Sequence, residues 1–246
     1  MAERIKGILF DLGDTLLDFG HVDVVSLFEA GARLAYQYLL SLHQPLPPFA
    51  KFHRRQLWAV RWSYFKSHIT RKEFSSLELI GRLGSDMGHN LSTEQLNELA
   101  WLWYEPLSRC ATMEPVLIQS LKHLQDHGLT LALVSNTFIP AVVLDRHLRQ
   151  AGLLEFFPVR VYSCDVFYRK PHPGIFRAAL ERTGLRACEA LFVGDSPKAD
   201  IAGANGVGMI SVLKDPRGLH AHSSIRPRHT VKSIAELPAI VDGYGE

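Results

Sequence analysis

The sequence predicts an α/β protein: a Rossmann-like, doubly wound parallel sheet with an α-helical cap inserted after the first strand. Three observations predict it. Short, near-continuously apolar runs alternate with amphipathic helical patterns along most of the chain, as strands buried on both faces and their crossover helices require. Several of these runs end in polar residues, at the carboxyl edge where open α/β sheets bind ligands. The stretch from about His21 to Arg109 breaks the rhythm: it has no buried strand and four helical patterns instead.

The first strand is Ile5 to Phe10 and ends at Asp11. Apolar residues at helical spacing then predict helices over Val24–Leu42, Lys51–His68, Phe74–Met87 and Thr93–Leu107. Pro45, Pro47 and Pro48 mark the first turn between them, and Ser92 with Gln95 three residues on is a capping pattern. All four tryptophans, Trp58, Trp62, Trp101 and Trp103, fall in this stretch. Trp58 and Trp62, four apart, read as a stripe facing the core. The α/β alternation resumes with a helix over Val116–His127, a strand over Leu129–Val134, a helix over Pro140–Ala151 and a short strand over Arg160–Ser163. A helix over Gly174–Thr183, a strand over Ala190–Val193, a helix over Lys198–Asn205 and a strand over Met209–Leu213 follow. Arg217 to His229 reads as a solvated loop, His229–Val231 as an edge strand and Ile234–Val241 as a closing helix. The domain boundaries expected are 1–18 plus 110–246 for the α/β core and 19–109 for the helical cap.

With 246 residues, 47% hydrophobic and 21% charged, the composition is that of a globular protein. A net charge of +2 calls for no nucleic acid and no membrane as partner, and no apolar run reaches the roughly 18 residues of a spanning helix. A cytoplasmic location is the expectation. Cys110, Cys164 and Cys188 are scattered, which argues against both a disulfide framework and a zinc site and predicts small buried hydrophobes.

Four strand ends carry chemistry. Asp11, in Phe10-Asp11-Leu12-Gly13-Asp14-Thr15, sits where a carboxylate attacks or binds metal, although turns also favour Asp and Gly. Ser135-Asn136-Thr137 reads either as an oxyanion cradle or as a helix cap by Thr137. Lys170, stiffened by Pro171 and Pro173, reads as a phosphoryl counter-charge or a solvated lysine. Asp195 and Asp200, in Gly194-Asp195-Ser196-Pro197-Lys198-Ala199-Asp200, suit a hard divalent ion, though Asp200 also suits a helix start.

In this order the four motifs resemble those of the haloacid dehalogenase superfamily, over nearly the whole chain. Asp11 and Thr15 match the first motif, Ser135 the second, Lys170 the third, and Asp195 with Asp200 the fourth. The helical insert resembles the cap of the family's first subclass. The resemblance implies a magnesium-dependent hydrolase acting through an aspartyl-phosphate on a small phosphorylated metabolite, as monomer or homodimer. In that reading Asp11, Thr15, Ser135 and Lys170 are catalytic, and Ser135, Asn136 and Lys170 hold phosphate. Magnesium is held by Asp11, the Gly13 carbonyl, Asp195 and Asp200, and Asp165 orients Lys170.

One residue departs from the family pattern. The position two after Asp11, an aspartate that handles protons in the family's phosphatases, is Gly13, with Asp14 next to it. Asp14 is the candidate substitute acid and base, with Asp18 and His21 nearby; its place after a glycine also suits a left-handed turn residue. Three alternatives follow: a phosphonate hydrolase using Lys51, Lys66 or Lys72 as an imine-forming amine, a haloacid dehalogenase, or a phospho-ligand binder without turnover.

Overall fold

The computed structural model describes residues 4–70 and 72–244. The chain forms two compact units, one of residues 1–18, 112–136 and 148–246, the other of residues 19–111 and 137–147.

The helical unit starts with α1 (Val24–Ser41), α2 (Phe49–Thr70), α3 (Ser76–Ser85) and α4 (Thr93–Ser108). The starts of α1, α3 and α4 are capped by side chains that accept from the orphan amides. Asp23 caps α1, Ser75 caps α3, and Ser92 forms the expected reciprocal box with Gln95 on α4. Ala35, Leu39, Phe52 and Leu99 form its core with Tyr36, Phe49 and Trp103 against them. α1 and α4 pack at contact distance because Gly31 has no side chain: a Cβ there would lie 2.5 Å from the Trp103 carbonyl oxygen. The tryptophans divide. Trp101 is buried under the Arg146 guanidinium, 4.2 Å from its ring centre, and Trp103 joins the core. Trp58 and Trp62 face outward, contrary to the expected core stripe; Phe52 and Gln56 supply the inward face of α2 instead.

The α/β unit is built on one parallel sheet of β1 (Gly7–Phe10), β2 (Thr130–Ser135), β3 (Val159–Tyr162), β4 (Ala190–Gly194), β5 (Ile210–Lys214) and β6 (His229–Val231). Its order is β3-β2-β1-β4-β5-β6. The connecting helices are α5 (Leu117–Asp126), α6 (Ala141–Gln150), the single turn α7 (Ser163–Val166), α8 (Pro173–Thr183) and α9 (Ala202–Val207), and α10 (Leu237–Asp242) closes the chain. α6 spans the division, its first residues grouping with the helical unit. Leu9, Ala132, Val134, Val161 and Phe192 pack with Ile175, Phe176 and Ala204 of α8 and α9. The alternate residues Ile8, Phe10, Leu131 and Leu133 are buried on the opposite face, as the period of two demands. Each of the larger side chains buried this way contributes about 1.5–3 kcal/mol.

Several details differ from the sequence expectation. Pro197–Ile201 is a π-helical turn ahead of α9 rather than the first turn of a regular helix. Thr137 accepts from the Ile139 amide, closing a local turn four residues ahead of α6 instead of capping it. Of the three cysteines, none in a disulfide, only Cys164 is buried, and Cys188 is exposed. Asp18 pairs with Thr112 through two backbone hydrogen bonds of 2.8 Å, so the two points where the chain leaves and re-enters the α/β unit lie side by side. Among the described residues, no helix is long and apolar enough to cross a membrane.

Candidate active site

Register brings the four motifs together. Phe10 is level with Leu133 on β2 and with Val193 on β4, so Asp11, Ser135 and Asp195 emerge from three adjacent strand ends. β1 and β4 flank the point where the strand order reverses, which is where this sheet class opens a ligand crevice. The Asp11 amide extends the ladder by donating to the Val193 carbonyl at 2.9 Å, which fixes the backbone under the carboxylate.

Lys170 lies at the centre, with its side chain buried. Its Nζ is 2.5 Å from Asp11 Oδ1 and 2.7 Å from Asp200 Oδ1. The second contact is off hydrogen-bond geometry, so among the described residues this buried Asp200 oxygen has no directed donor. Asn136 fixes the lysine backbone, its amide donating to the Lys170 carbonyl (3.0 Å) and its oxygen accepting from the Lys170 amide (2.7 Å). Thr15 Oγ1 lies 3.4 Å from Asp11 Oδ2 and 3.5 Å from Asp195 Oδ1.

Asp200 is aimed by the π-helical turn. Its other oxygen accepts from the Ser196 amide at 2.9 Å, while Ser196 Oγ accepts from the Ala199 amide. Gly194 makes room for it: a Cβ at that position would lie 2.4 Å from Asp200 Cγ. Carboxylate oxygens of Asp11, Asp195 and Asp200 all fall within 4.8 Å of one another.

The electrostatics are unbalanced, with three carboxylates around one ammonium. Burial pushes the Asp11 carboxyl up, to about 7, with Asp200 and Asp195 adding to the rise against the pull of Lys170. Asp195 is raised by burial first and then by the charges of Asp200 and Asp14. Lys170 is held above the ordinary lysine range; burial works against its charge, but Asp11 and Asp200 outweigh it. A hard divalent cation fits this donor set: oxygen ligands, excess negative charge and a buried oxygen without a directed donor. Ser135 is buried at the end of β2, the strand next to the one that ends at Asp11.

The sequence reading placed Asp165 differently. Asp165 is exposed, with Cys164 Sγ 3.6 Å from its carboxylate, and Lys170 is instead held by Asn136, Asp11 and Asp200. The Asn136 side chain brackets the lysine backbone. Asp14 is exposed at φ 57°, a left-handed position that aspartate tolerates, and its charge reaches Asp195. Asp18, His21, Lys51, Lys66 and Lys72 are all exposed.

A second buried lysine was missed. Lys214, at the end of β5, donates to the Thr15 carbonyl at 2.6 Å and pairs with Glu114 Oε1 at 2.7 Å. Burial works upward on Glu114, but hydrogen bonds from Lys214 and Ser233 hold its carboxyl below the ordinary range. The only sequence sign was a lysine closing an apolar strand, the same sign that marked Asp11.

The profile of the haloacid dehalogenase-like hydrolases matches residues 5–208. A ribulose-1,5-bisphosphate 5-phosphatase of Halopiger xanaduensis is 30% identical over 248 residues, covering 95% of this chain and 98% of that protein. A phosphoglycolate phosphatase of Yersinia pseudotuberculosis is 36% identical over 208 residues, covering 84% and 79%. The crystal structure of a HAD phosphatase from Thermococcus onnurineus superposes with a TM-score of 0.61 at 25% identity, covering 97% of this chain and 99% of that one. A parallel sheet in this order, the cluster at its carboxyl edge and a match over most of the length lead to one assignment: the chain is a hydrolase of the haloacid dehalogenase-like family.

Proposed function

We propose that the protein is a magnesium-dependent phosphomonoester hydrolase that acts on a small phosphorylated metabolite through an aspartyl-phosphate on Asp11. The observation that carries this reading is the cluster itself: Asp11, Asp195 and Asp200 around Lys170, with Ser135 at the end of the neighbouring strand. The phosphatase names of the relatives support the substrate class. The helical unit is read as the counterpart of the family's cap module.

Asp11, Asp195, Asp200 and the Gly13 carbonyl would hold magnesium, which when bound supplies charge neutralisation for the phosphoryl group. Phosphoryl transfer asks mainly for position and charge. The Asp11 carboxylate attacks phosphorus, the ester P–O bond breaks, and the leaving oxygen takes a proton. Water then cleaves the acyl phosphate, returning Asp11 and releasing inorganic phosphate. Thr15 orients the nucleophile. Lys170 and Ser135 bind the transferring oxygens. Gly13 has no group to move a proton, so Asp14, whose charge is felt at Asp195, takes that role.

Gly13 also favours a second reading, a phospho-ligand binder that does not turn over. The two are separated by incubating the protein with magnesium and a panel of sugar phosphates and phosphorylated acids. Phosphate release that disappears in Asp11→Asn supports hydrolysis. No release from any substrate, together with a gain of activity in Gly13→Asp, supports the binder. Unchanged release from Asp11→Asn rejects the assigned nucleophile.

A further inference from the structure

The outward face of α2 has no role in the site described above, and its composition is specific. Trp58, Trp62, Phe65 and Ile69 are 68%, 64%, 56% and 67% exposed, in a chain that buries Trp101. Their spacing of four, three and four places all of them within an arc of about 60° along roughly 16 Å of helix. Trp62 and Phe65 touch, ring centres 5.9 Å apart, so the ridge is continuous. Between Phe49 and Thr70 there is no acidic residue, but there are five cations: Lys51, Arg54, Arg55, Arg61 and Lys66. Projected around the axis, Arg54 and Arg61 fall on one flank of the ridge and Arg55 and Lys66 on the other. Among the described residues, Arg55 alone of the five has an acidic partner, Asp86 at 2.8 Å.

We propose that α2 docks the protein on an anionic membrane surface, with the Trp58–Ile69 ridge entering the headgroup layer and the flanking cations meeting lipid phosphates and carboxylates. Indole rings favour that layer because they are apolar and carry one donor. Arginine and lysine lay their stems along the apolar boundary while the charges stay in water. The cations on both flanks select a planar anionic partner. A second copy on this face would set basic flanks against basic flanks. Nucleic acid would satisfy the cations but leave Ile69 without an apolar contact.

The test is co-sedimentation of the full chain at low salt with vesicles of phosphatidylcholine alone and of phosphatidylcholine with phosphatidylserine. The protein pellets with the anionic vesicles, not with the neutral ones, and raised salt releases it. W58S/W62S lowers vesicle affinity at least tenfold. R61Q/K66Q lowers it about 25-fold, at about fivefold per cation. All four side chains are exposed, so both variants melt with the wild type. Equal pelleting on neutral and anionic vesicles, no pelleting on either, or unchanged affinity in both variants overturns the proposal. So does a wild-type dimer in solution that W58S/W62S dissociates, which would assign the ridge to a second copy.

Discussion

Replacing Lys170 with methionine tests the electrostatic account of the site without requiring a substrate. Among the described residues, the lysine is the one cation within 3 Å of two buried carboxylates, Asp11 at 2.5 Å and Asp200 at 2.7 Å. Removing one partner of a buried pair costs about 3–5 kcal/mol, because the charge left behind is desolvated and unpaired. At about 2–4 °C per kcal/mol for a chain of this size, the metal-free melting temperature falls by roughly 6–20 °C. The pH dependence has a definite sign. A carboxyl raised in the folded state holds its proton more tightly there than in the unfolded chain, so stability falls as pH rises from 3.8 through the folded value. In the wild type that fall ends near the Asp11 value of about 7. Without Lys170 the value moves higher, so above pH 7 the variant goes on losing about 1.4 kcal/mol per pH unit. Thermal melts of both proteins in chelator at pH 6, 7.5 and 9 measure the gap. A gap that widens between pH 7.5 and 9, and narrows with added magnesium, is the expected outcome. A gap below about 2 °C, or one constant across that range, refutes the reasoning.

Other perturbations probe the supporting structure. Gly194→Ala puts a methyl where the Asp200 carboxylate lies, so magnesium affinity by calorimetry falls about 10- to 100-fold with the fold retained in circular dichroism. Asn136→Ala removes both hydrogen bonds to the Lys170 backbone; chemical denaturation loses about 1–3 kcal/mol and kcat falls more than KM rises. In the helical unit, Tyr104 and His147 share a buried 2.9 Å hydrogen bond, and burial holds the imidazole below its ordinary 6.5. The unfolded chain therefore takes the proton first, stability is lost as pH falls below about 6.5, and His147→Phe flattens that part of the melting profile. Glu189 is the opposite kind of carboxyl: hydrogen bonds from Arg186 and Lys6 lower it from 4.5 to about 2. Its stabilisation is present above pH 4.5 and lost between 4.5 and 2, a loss that acid titration of Glu189→Gln does not show.

The strands of the sheet were legible because their side chains are apolar on both faces, and the helical insert because it lacked such runs. Asp11, Ser135, Lys170, Asp195 and Asp200 were legible for a related reason: polar residues that end buried strands or open helices have few structural uses. Partnership was not legible. Nothing in Asn136 or Asp165 says that the first brackets the lysine backbone while the second turns to solvent; that depends on how the β2 and β3 ends lie side by side. Lys214 was missed because its partners, Thr15 and Glu114, are distant in sequence. The Trp58–Trp62 stripe was assigned inward because spacing reports a shared face without reporting which way it looks. The flanking arginines carried that information.

The most direct test of the central claim is to catch the phosphoryl group on the protein. Wild type mixed with magnesium and a phosphorylated substrate, quenched in acid within one turnover and digested, yields a peptide spanning Asp11 heavier by one phosphoryl group. That label disappears on hydroxylamine treatment and is absent from Asp11→Asn. Phosphate release without any such adduct, or an adduct on another residue that persists in Asp11→Asn, would contradict the account.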